Sequence, residues 1–595
     1  MLPAILSLDA LRTIYLNRPA AVNDVVEEVL ARIASAKDPA IFISLVAPDD
    51  LRRAARALLQ REPDPALLPL WGIPFAVKDN IDVAGLHTTA ACPAFAYRAE
   101  ADATTVARLK AAGALVVGKT NLDQFATGLN GTRSPYGAPR SVFNADYVSG
   151  GSSSGSAVAV AAGLVPFALG TDTAGSSRVP AAFNNIVGIK PTPGLLSTGG
   201  VVPACWSLDC VCILSTSVAD GVFIRRLAEG FDQSDPYSVC GMQRAIAPCP
   251  RIGVLPEDAR EFYGDAENAA LYARAIEIMQ GLGAEIVAFD YQPFQEIGAL
   301  LYDGPWLAER LAGIGNFVDK HPQDLDPAVR TLLEGAHHYS AVDAFAGLHR
   351  LRELRRRAEA EWAIADLLLL PTSPVIYTVE EMRADPLRLN ARFGTYTNFV
   401  NFLGCSAIAV PAGFKSDDLP FGVTLVAPPF HDDALAIPAA ALHTAAKCGA
   451  GYARETIAAT PVAVPGESRI ELAVVGAHLK GEPLNRELTR LGGRLVETTR
   501  TASDYRLYLL ANTTPRKPGL VRDPNFCGDG IEVEVWSLAP DAFGHFAASI
   551  PAPLGIGKVT LADGRQISGF LCENYAIKDA REITDFGGWR GFLRK

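Results

Sequence analysis

The segment Gly150-Gly-Ser-Ser-Ser-Gly-Ser156 runs without a break into the weakly polar stretch 157–170, which is rich in Ala and Gly. That stretch is shorter than the roughly 20 residues needed to cross a bilayer. It reads as a buried helix running into a buried strand. A second turn follows at once, Gly170-Thr-Asp-Thr-Ala-Gly-Ser-Ser-Arg-Val-Pro180. A Gly/Ser loop entering an apolar helix can cradle phosphate, but no Gly-Lys-Ser/Thr end is present, so this is not a Walker loop. Gly151–Gly155 also matches the G-x-S-x-G elbow pattern formally. An enzyme of that type needs an acid and a histidine downstream, and His337, His338, His349, His431 and His443 sit in no recognisable turn. A flexible linker is the bland alternative, and the apolar run that follows argues against it.

Short apolar runs at Ile73–Val77, Ala114–Val117, Val165–Leu169, Ile252–Val254, Leu367–Leu370, Ser406–Val410 and Val423–Val426 alternate with helical stretches. That alternation predicts an α/β domain with a central sheet covered by helices. Residues 1 to about 65 read as helical, as does much of 265–365. The charged run Leu348 to Trp362 reads as a solvated helix carrying intrahelical ion pairs. Residues 456–468, interrupted by two prolines and a glycine, read as a boundary. The expected organisation is a first domain over 1–460, a linker over 461–468 and a second domain over 469–595. The second domain is expected to carry strands at Ile470–Val475, Tyr505–Leu510, Ile531–Trp536 and Lys558–Leu561, and helices at Pro483–Leu491 and Pro540–Ser549.

Composition excludes several classes. The net charge of −11 argues against a broad basic surface for nucleic acid or anionic lipid. Ten scattered cysteines contain no CxxC pair, and the group Cys205, Cys210 and Cys212 has no histidine near it in sequence. These read as core thiols rather than zinc ligands, and their sparseness in a long chain reads as cytoplasmic. No positively charged segment followed by an apolar core opens the chain, so no secretory leader is expected.

Taken together, Gly72-Ile-Pro-Phe-Ala-Val-Lys78-Asp-Asn80, Gly150–Ser156, Gly170–Ser176 with Arg178 and Pro180, and Gly188-Ile-Lys-Pro-Thr-Pro-Gly194 resemble the amidase signature family in order and spacing. The resemblance covers roughly residues 1–460. It implies that Ser176 is the nucleophile, Ser152 the bridging serine and Lys78 the base. A serine hydroxyl needs a positioned base to become a nucleophile, and lysine serves only when neutral, which burial among apolar neighbours favours. Read without the family, Lys78 beside Asp79 would be a salt-bridged or surface lysine. The resemblance further implies that Thr173, Ala174 and Gly175 form a turn whose N–H groups make an oxyanion hole. Asp172 and Arg178 read as a structural ion pair.

Two positions depart from the commonest family pattern. Ala174 and Ser154 stand where glycine is usual, and both resemble the allophanate hydrolase branch. So does Leu301-Tyr302-Asp-Gly-Pro-Trp306-Leu-Ala-Glu-Arg310, where Tyr302 and Arg310 would grip a substrate carboxylate; the planar guanidinium fork suits that task. Read without the family, Tyr302 packs in the core and Arg310 pairs with a nearby acid. The loop Gln124 to Gly131 is expected to border the same pocket, with Gly128 its closest residue. The second domain, through Val474-Val-Gly-Ala-His478 to Asn485, Pro518-Gly-Leu520 and Glu532–Trp536, resembles the C-terminal domain of that branch, whose α+β fold is similar to the gamma-glutamyl cyclotransferase type. There, His478 would assist decarboxylation of the first product, or the domain would serve assembly.

The resemblance implies hydrolysis of allophanate, a small-molecule substrate, through an acyl-enzyme. It calls for no metal and no organic cofactor, no nucleic acid and no membrane. It implies a homodimer, with membership of a larger enzyme assembly open. The competing readings are a general amidase acting on another small amide and a non-catalytic scaffold of a larger degradation complex.

Overall fold

The structure is a computed structural model that describes residues 2–247, 249–456, 470–511, 513–538 and 540–595. It divides into two compact units, Met1–Val462 and Ala463–Lys595. The linker expected over 461–468 lies outside the described residues.

Among the described residues of the first unit, eleven strands form one mixed sheet. From one edge the order is Phe42–Leu45, Leu115–Thr120, Pro74–Lys78, Phe167–Asp172, Cys210–Ser215, Val187–Lys190, Ser406–Phe414, Pro420–Ala427, Leu367–Pro371, Arg251–Val254 and Glu285–Ala288. Leu115–Thr120, Pro74–Lys78 and Phe167–Asp172 run parallel to one another. Helices shield the sheet, so its central strands read as continuous apolar runs rather than alternating ones. Every residue of Leu367–Pro371 and of Cys210–Ser215 is buried. At about 1.5–3 kcal/mol for each large side chain removed from water, four consecutive leucines in the former account for its depth in the fold. Cys205, Cys210 and Cys212 are buried free thiols, as the composition suggests.

The 157–170 stretch splits as expected into the helix Ser154–Ala161, buried on every side, and the strand Phe167–Asp172. Ser156 Oγ donates to Leu169 O at 2.9 Å and joins the two. The N-terminal region departs from an all-helical reading. Helices Leu8–Asn17, Ala21–Ser35 and Pro48–Arg61 are interrupted by the strand Phe42–Leu45, which pairs antiparallel with Leu115–Thr120. The four-residue run Phe-Ile-Ser-Leu is too short to carry a period of its own, and pairing with a distant strand decides its form. The helix Ala341–Glu361 carries the expected pairs Arg350–Glu353 and Arg356–Glu359. Arg350 and Arg357 also reach Glu296 on the helix Gln292–Asp303, so part of the charged face is a helix–helix contact.

In the second unit, the described strands Arg494–Arg500, Glu532–Leu538, Ile470–Val474, Gln566–Cys572 and Leu554–Thr560 form a five-stranded mixed sheet, in that order. Pro518–Arg522, Tyr505–Leu509 and Arg581–Glu582 form a smaller antiparallel sheet. Its own core includes Leu472, Val474, Leu507, Val535 and Phe546.

Candidate active site

Lys78 ends a fully buried strand and Thr171 stands next to the last residue of the parallel strand beside it. In open α/β sheets, ligands gather outside the carboxyl ends of parallel strands. Ser152 lies in the loop feeding the helix Ser154–Ala161. Lys78 Nζ stands 2.8 Å from Ser152 Oγ, 2.7 Å from Thr171 Oγ1 and 3.5 Å from Thr171 O. Nζ donates to all three oxygens, and loss of one proton would leave a lone pair free to face the Ser152 hydroxyl.

Asp79 does not pair with Lys78. Successive side chains of a strand face opposite ways, and Asp79 pairs with Lys119 at 3.0 Å and accepts from Thr89 N–H and Thr89 Oγ1. Lys78 therefore has no carboxylate within ion-pair distance among the described residues. Burial brings its pKa down to about 7, against the opposing pull of Asp123, Asp172 and Asp209.

Ser176 sits in the turn that follows Asp172. Ser153 N–H donates to Ser176 O at 3.0 Å, tying the two serine loops together. Ser176 Oγ donates to Gly128 O at 3.4 Å rather than to Ser152. Lys78 and Ser152 are thus in contact, while the hydrogen of Ser176 rests on a neighbouring carbonyl. Arg178 holds Asp172 through two bonds, at 3.0 and 2.9 Å, with both groups fully buried. Burial alone would raise the Asp172 carboxyl, but Arg178, Lys190 and the Gly175 N–H together hold it well below the usual range.

Of the three N–H groups expected at the oxyanion, that of Gly175 is already engaged. Its N–H donates to Asp172 Oδ1 at 2.7 Å, because an aspartate side chain readily folds back on the backbone a few residues on. The N–H groups of Thr173 and Ala174 have no acceptor among the described residues. Thr173 is also fixed through its hydroxyl, which donates to Asp209 at 2.5 Å. Gly175 is required for another reason. Its φ is +128°, and a Cβ there would meet Thr397 Oγ1 at 2.4 Å.

Tyr302 lies near the end of the helix Gln292–Asp303, and Arg310 on the helix Trp306–Lys320. The fold brings them together, with the guanidinium carbon 5.9 Å from the Tyr302 ring centre. Arg310 is 3 % exposed, yet no carboxylate lies within ion-pair distance among the described residues, and its Nε has no partner. Its one hydrogen bond goes to Thr127 Oγ1 at 3.3 Å. The neighbouring acid, Glu309, is taken by Ser207. A buried, unpaired arginine is costly. Its single partner, Thr127, immediately precedes Gly128, whose carbonyl holds Ser176.

Three contacts escape the sequence reading. Thr171 lies inside the second serine motif with no role of its own there; only the register of two parallel strands puts its hydroxyl on Lys78. Asp123 and Thr127 lie in or beside the loop where the sequence points only to Gly128.

In the second unit, His478 follows the strand Ile470–Val474. Its Nε2 contacts Glu487 Oε2 at 2.9 Å, and its ring stacks on Phe570 and meets Phe546 edge-on. It borders a small cavity with Lys517 and Pro518. Burial lowers its pKa, against the pull of Glu487.

Comparison with known proteins defines the class. The amidase family profile matches residues 24–436 and the profile of the allophanate hydrolase C-terminal domain matches residues 470–594. The chain belongs to the amidase family and has the amidase signature fold. Its sequence is 42% identical over 571 residues to urea amidolyase of Saccharomyces cerevisiae, covering 93% of this chain and 31% of that one. It is 42% identical over 589 residues to urea amidolyase of Lachancea kluyveri, covering 96% of this chain and 32% of that one. The chain thus spans about a third of the length of these urea amidolyases. Among solved structures, Kluyveromyces lactis allophanate hydrolase superposes with a TM-score of 0.82 at 39% identity, covering all of both chains. No helix among the described residues is long and apolar enough to cross a membrane.

Proposed function

We propose that this chain hydrolyses allophanate. Ser176 Oγ attacks the terminal amide carbonyl, its proton passes through Ser152 to the neutral Lys78 amine, and ammonia leaves protonated by the return of that proton. Thr173 and Ala174 N–H groups receive the oxyanion. Water then cleaves the acyl-enzyme to N-carboxycarbamate, which loses carbon dioxide. One water in and one ammonium out balance the first step. The Arg310 guanidinium and the Tyr302 hydroxyl hold the carboxylate that distinguishes allophanate from a neutral amide.

The main support for this reading is the unpaired, buried Arg310 beside the Thr127–Gly128 segment that touches Ser176. The test is ammonia release from allophanate compared with acetamide, using the full chain. Preference for allophanate by at least about tenfold in kcat/KM, or 1.4 kcal/mol, is expected. Equal turnover of both would point to a general amidase, and an inert preparation to a scaffold protein.

The base must be uncharged to act. With Lys78 at about 7, the active fraction is small below that pH and complete above it, so kcat/KM should rise along an acid limb centred near pH 7. A profile flat from pH 5 to 9 would remove Lys78 from the role of base.

His478 supports a second step in the C-terminal unit. Its imidazole is kept neutral by burial and is oriented by Glu487. We expect His478→Ala to leave the first ammonia release within about twofold, since the serine relay draws on no residue of the second unit, and to slow carbon dioxide release. Unchanged rates of both would restrict His478 to packing. By family analogy we propose a cytoplasmic location and a homodimer, the latter open to test by sedimentation of the full chain.

A further inference from the structure

Asp123 is the fully buried carboxylate of the loop after the strand Leu115–Thr120, and the relay described above assigns it nothing. Its Oδ2 accepts from Asn130 N–H at 3.2 Å and Gly131 N–H at 3.0 Å, and its Oδ1 from Arg133 N–H at 3.0 Å. Its own N–H donates to Ser152 O at 3.2 Å. The Arg133 guanidinium turns instead to Thr127 O and Pro386 O, and no cation lies within ion-pair distance of Asp123 among the described residues.

Two backbones press against this carboxylate. A Cβ on Gly151 would meet Asp123 Oδ2 at 2.2 Å, and one on Gly128 would meet it at 2.6 Å. Gly151 is the residue before Ser152, and Gly128 supplies the carbonyl that holds Ser176 Oγ. The carboxylate therefore lies between the carriers of the two serines. Phe125 and Ala126, next in the same loop, adopt φ of +49° and +52°. Such conformations persist in side-chain-bearing residues only where the surroundings over-determine them.

We propose that Asp123 is a positioning residue: its carboxylate fixes the separation of Ser152 from the Gly128 carbonyl, and its charge, placed beside the Ser152 loop, raises the pH at which Lys78 becomes active. The charged and titratable groups around the Lys78 amine are Asp123, Asp172 and Asp209 with the Cys212 thiol, and Asp79 and Lys119 pair with each other on the opposite face. Of these, Asp123 exerts the strongest pull holding Lys78 protonated. Burial pushes the Asp123 carboxyl up, and Arg133 with the N–H groups of Gly131, Arg133 and Asn130 pulls it back. Burial outweighs these partners, so the carboxyl stands above its usual value.

The inference rests on the serine–serine–lysine reading, and its test is made independent of substrate. The measured quantity is the rate at which a fluorophosphonate labels Ser176 across pH, with Ser176→Ala as blank. The serine oxygen displaces fluoride at phosphorus and its proton passes to the relay. Asp123→Asn removes the charge and presents N–H groups to N–H groups. Its plateau rate should fall at least about tenfold, as for a misplaced nucleophile. Its acid limb should move to lower pH by roughly half a unit or more, because the charge favouring protonated Lys78 has gone. Asp123→Glu keeps the charge but has no room for a further methylene against Gly128 and Gly151. Its limb should stay in place while its plateau falls similarly.

A plateau at the wild-type rate in either variant overturns the proposal, as does a limb unmoved in a folded Asp123→Asn protein. If the Asn variant does not fold, the Glu plateau decides. Normal labelling without ammonia release from allophanate would sink the substrate reading and leave this one standing.

Discussion

Lys78→Met is expected to lower kcat for ammonia release by roughly 10⁴- to 10⁶-fold, the range seen when a member of a catalytic relay is removed from a serine hydrolase. The protein should stay folded. Methionine fills nearly the same volume, and replacing a buried amine with a thioether removes a group that is costly to hold out of water. Ser152 Oγ loses its partner, but Thr171 Oγ1 still receives Asn80 Nδ2 at 3.3 Å. A thermal melt within a few degrees of wild type should accompany the loss. Ser176→Ala should reach the same floor. The double variant should be no slower than either single one, because groups that act as one unit are strongly non-additive. Retention of more than a hundredth of wild-type activity in Lys78→Met would mean that something else takes the proton.

Arg310→Ala should be the next most damaging change. A charged group that loses its partner in a buried hydrogen-bonded pair costs about 2–5 kcal/mol, which corresponds to a fall in kcat/KM for allophanate of roughly 30- to 5,000-fold. Turnover of a neutral amide should change little, since such a substrate never reaches the guanidinium. Arg310→Lys keeps the charge but loses the planar fork, so it should fall between the two. The free enzyme should not be destabilised by the loss of a salt bridge, since Arg310 makes none among the described residues. The one bond lost is to Thr127, whose hydroxyl also donates to Phe125 O at 3.2 Å. Allophanate turnover unchanged in Arg310→Ala would place the carboxylate elsewhere.

The serine motifs, the lysine and the helix-to-strand passage over 157–170 are legible in the chain, because each depends on residues close together in sequence. Glycine and serine mark turns, and a short apolar run between them must be buried. The strands Val187–Lys190 and Glu285–Ala288 are not legible, since four residues carry too little pattern without their neighbours. The identity of the chemical groups is likewise readable, and their environment is not. Nothing local tells Lys78 from a lysine paired with Asp79; the choice falls to Lys119, which arrives on another strand and takes the carboxylate. Nothing local shows that Gly175 turns its N–H to Asp172, or that Arg310 is buried without an acid. Local sequence settles which residues can act and roughly where the chain must turn. Which of them meet, and which charges stay unpaired, is settled by the fold, because pKa and hydrogen bonding depend on distance and burial, and those are set by strands and helices distant in the chain.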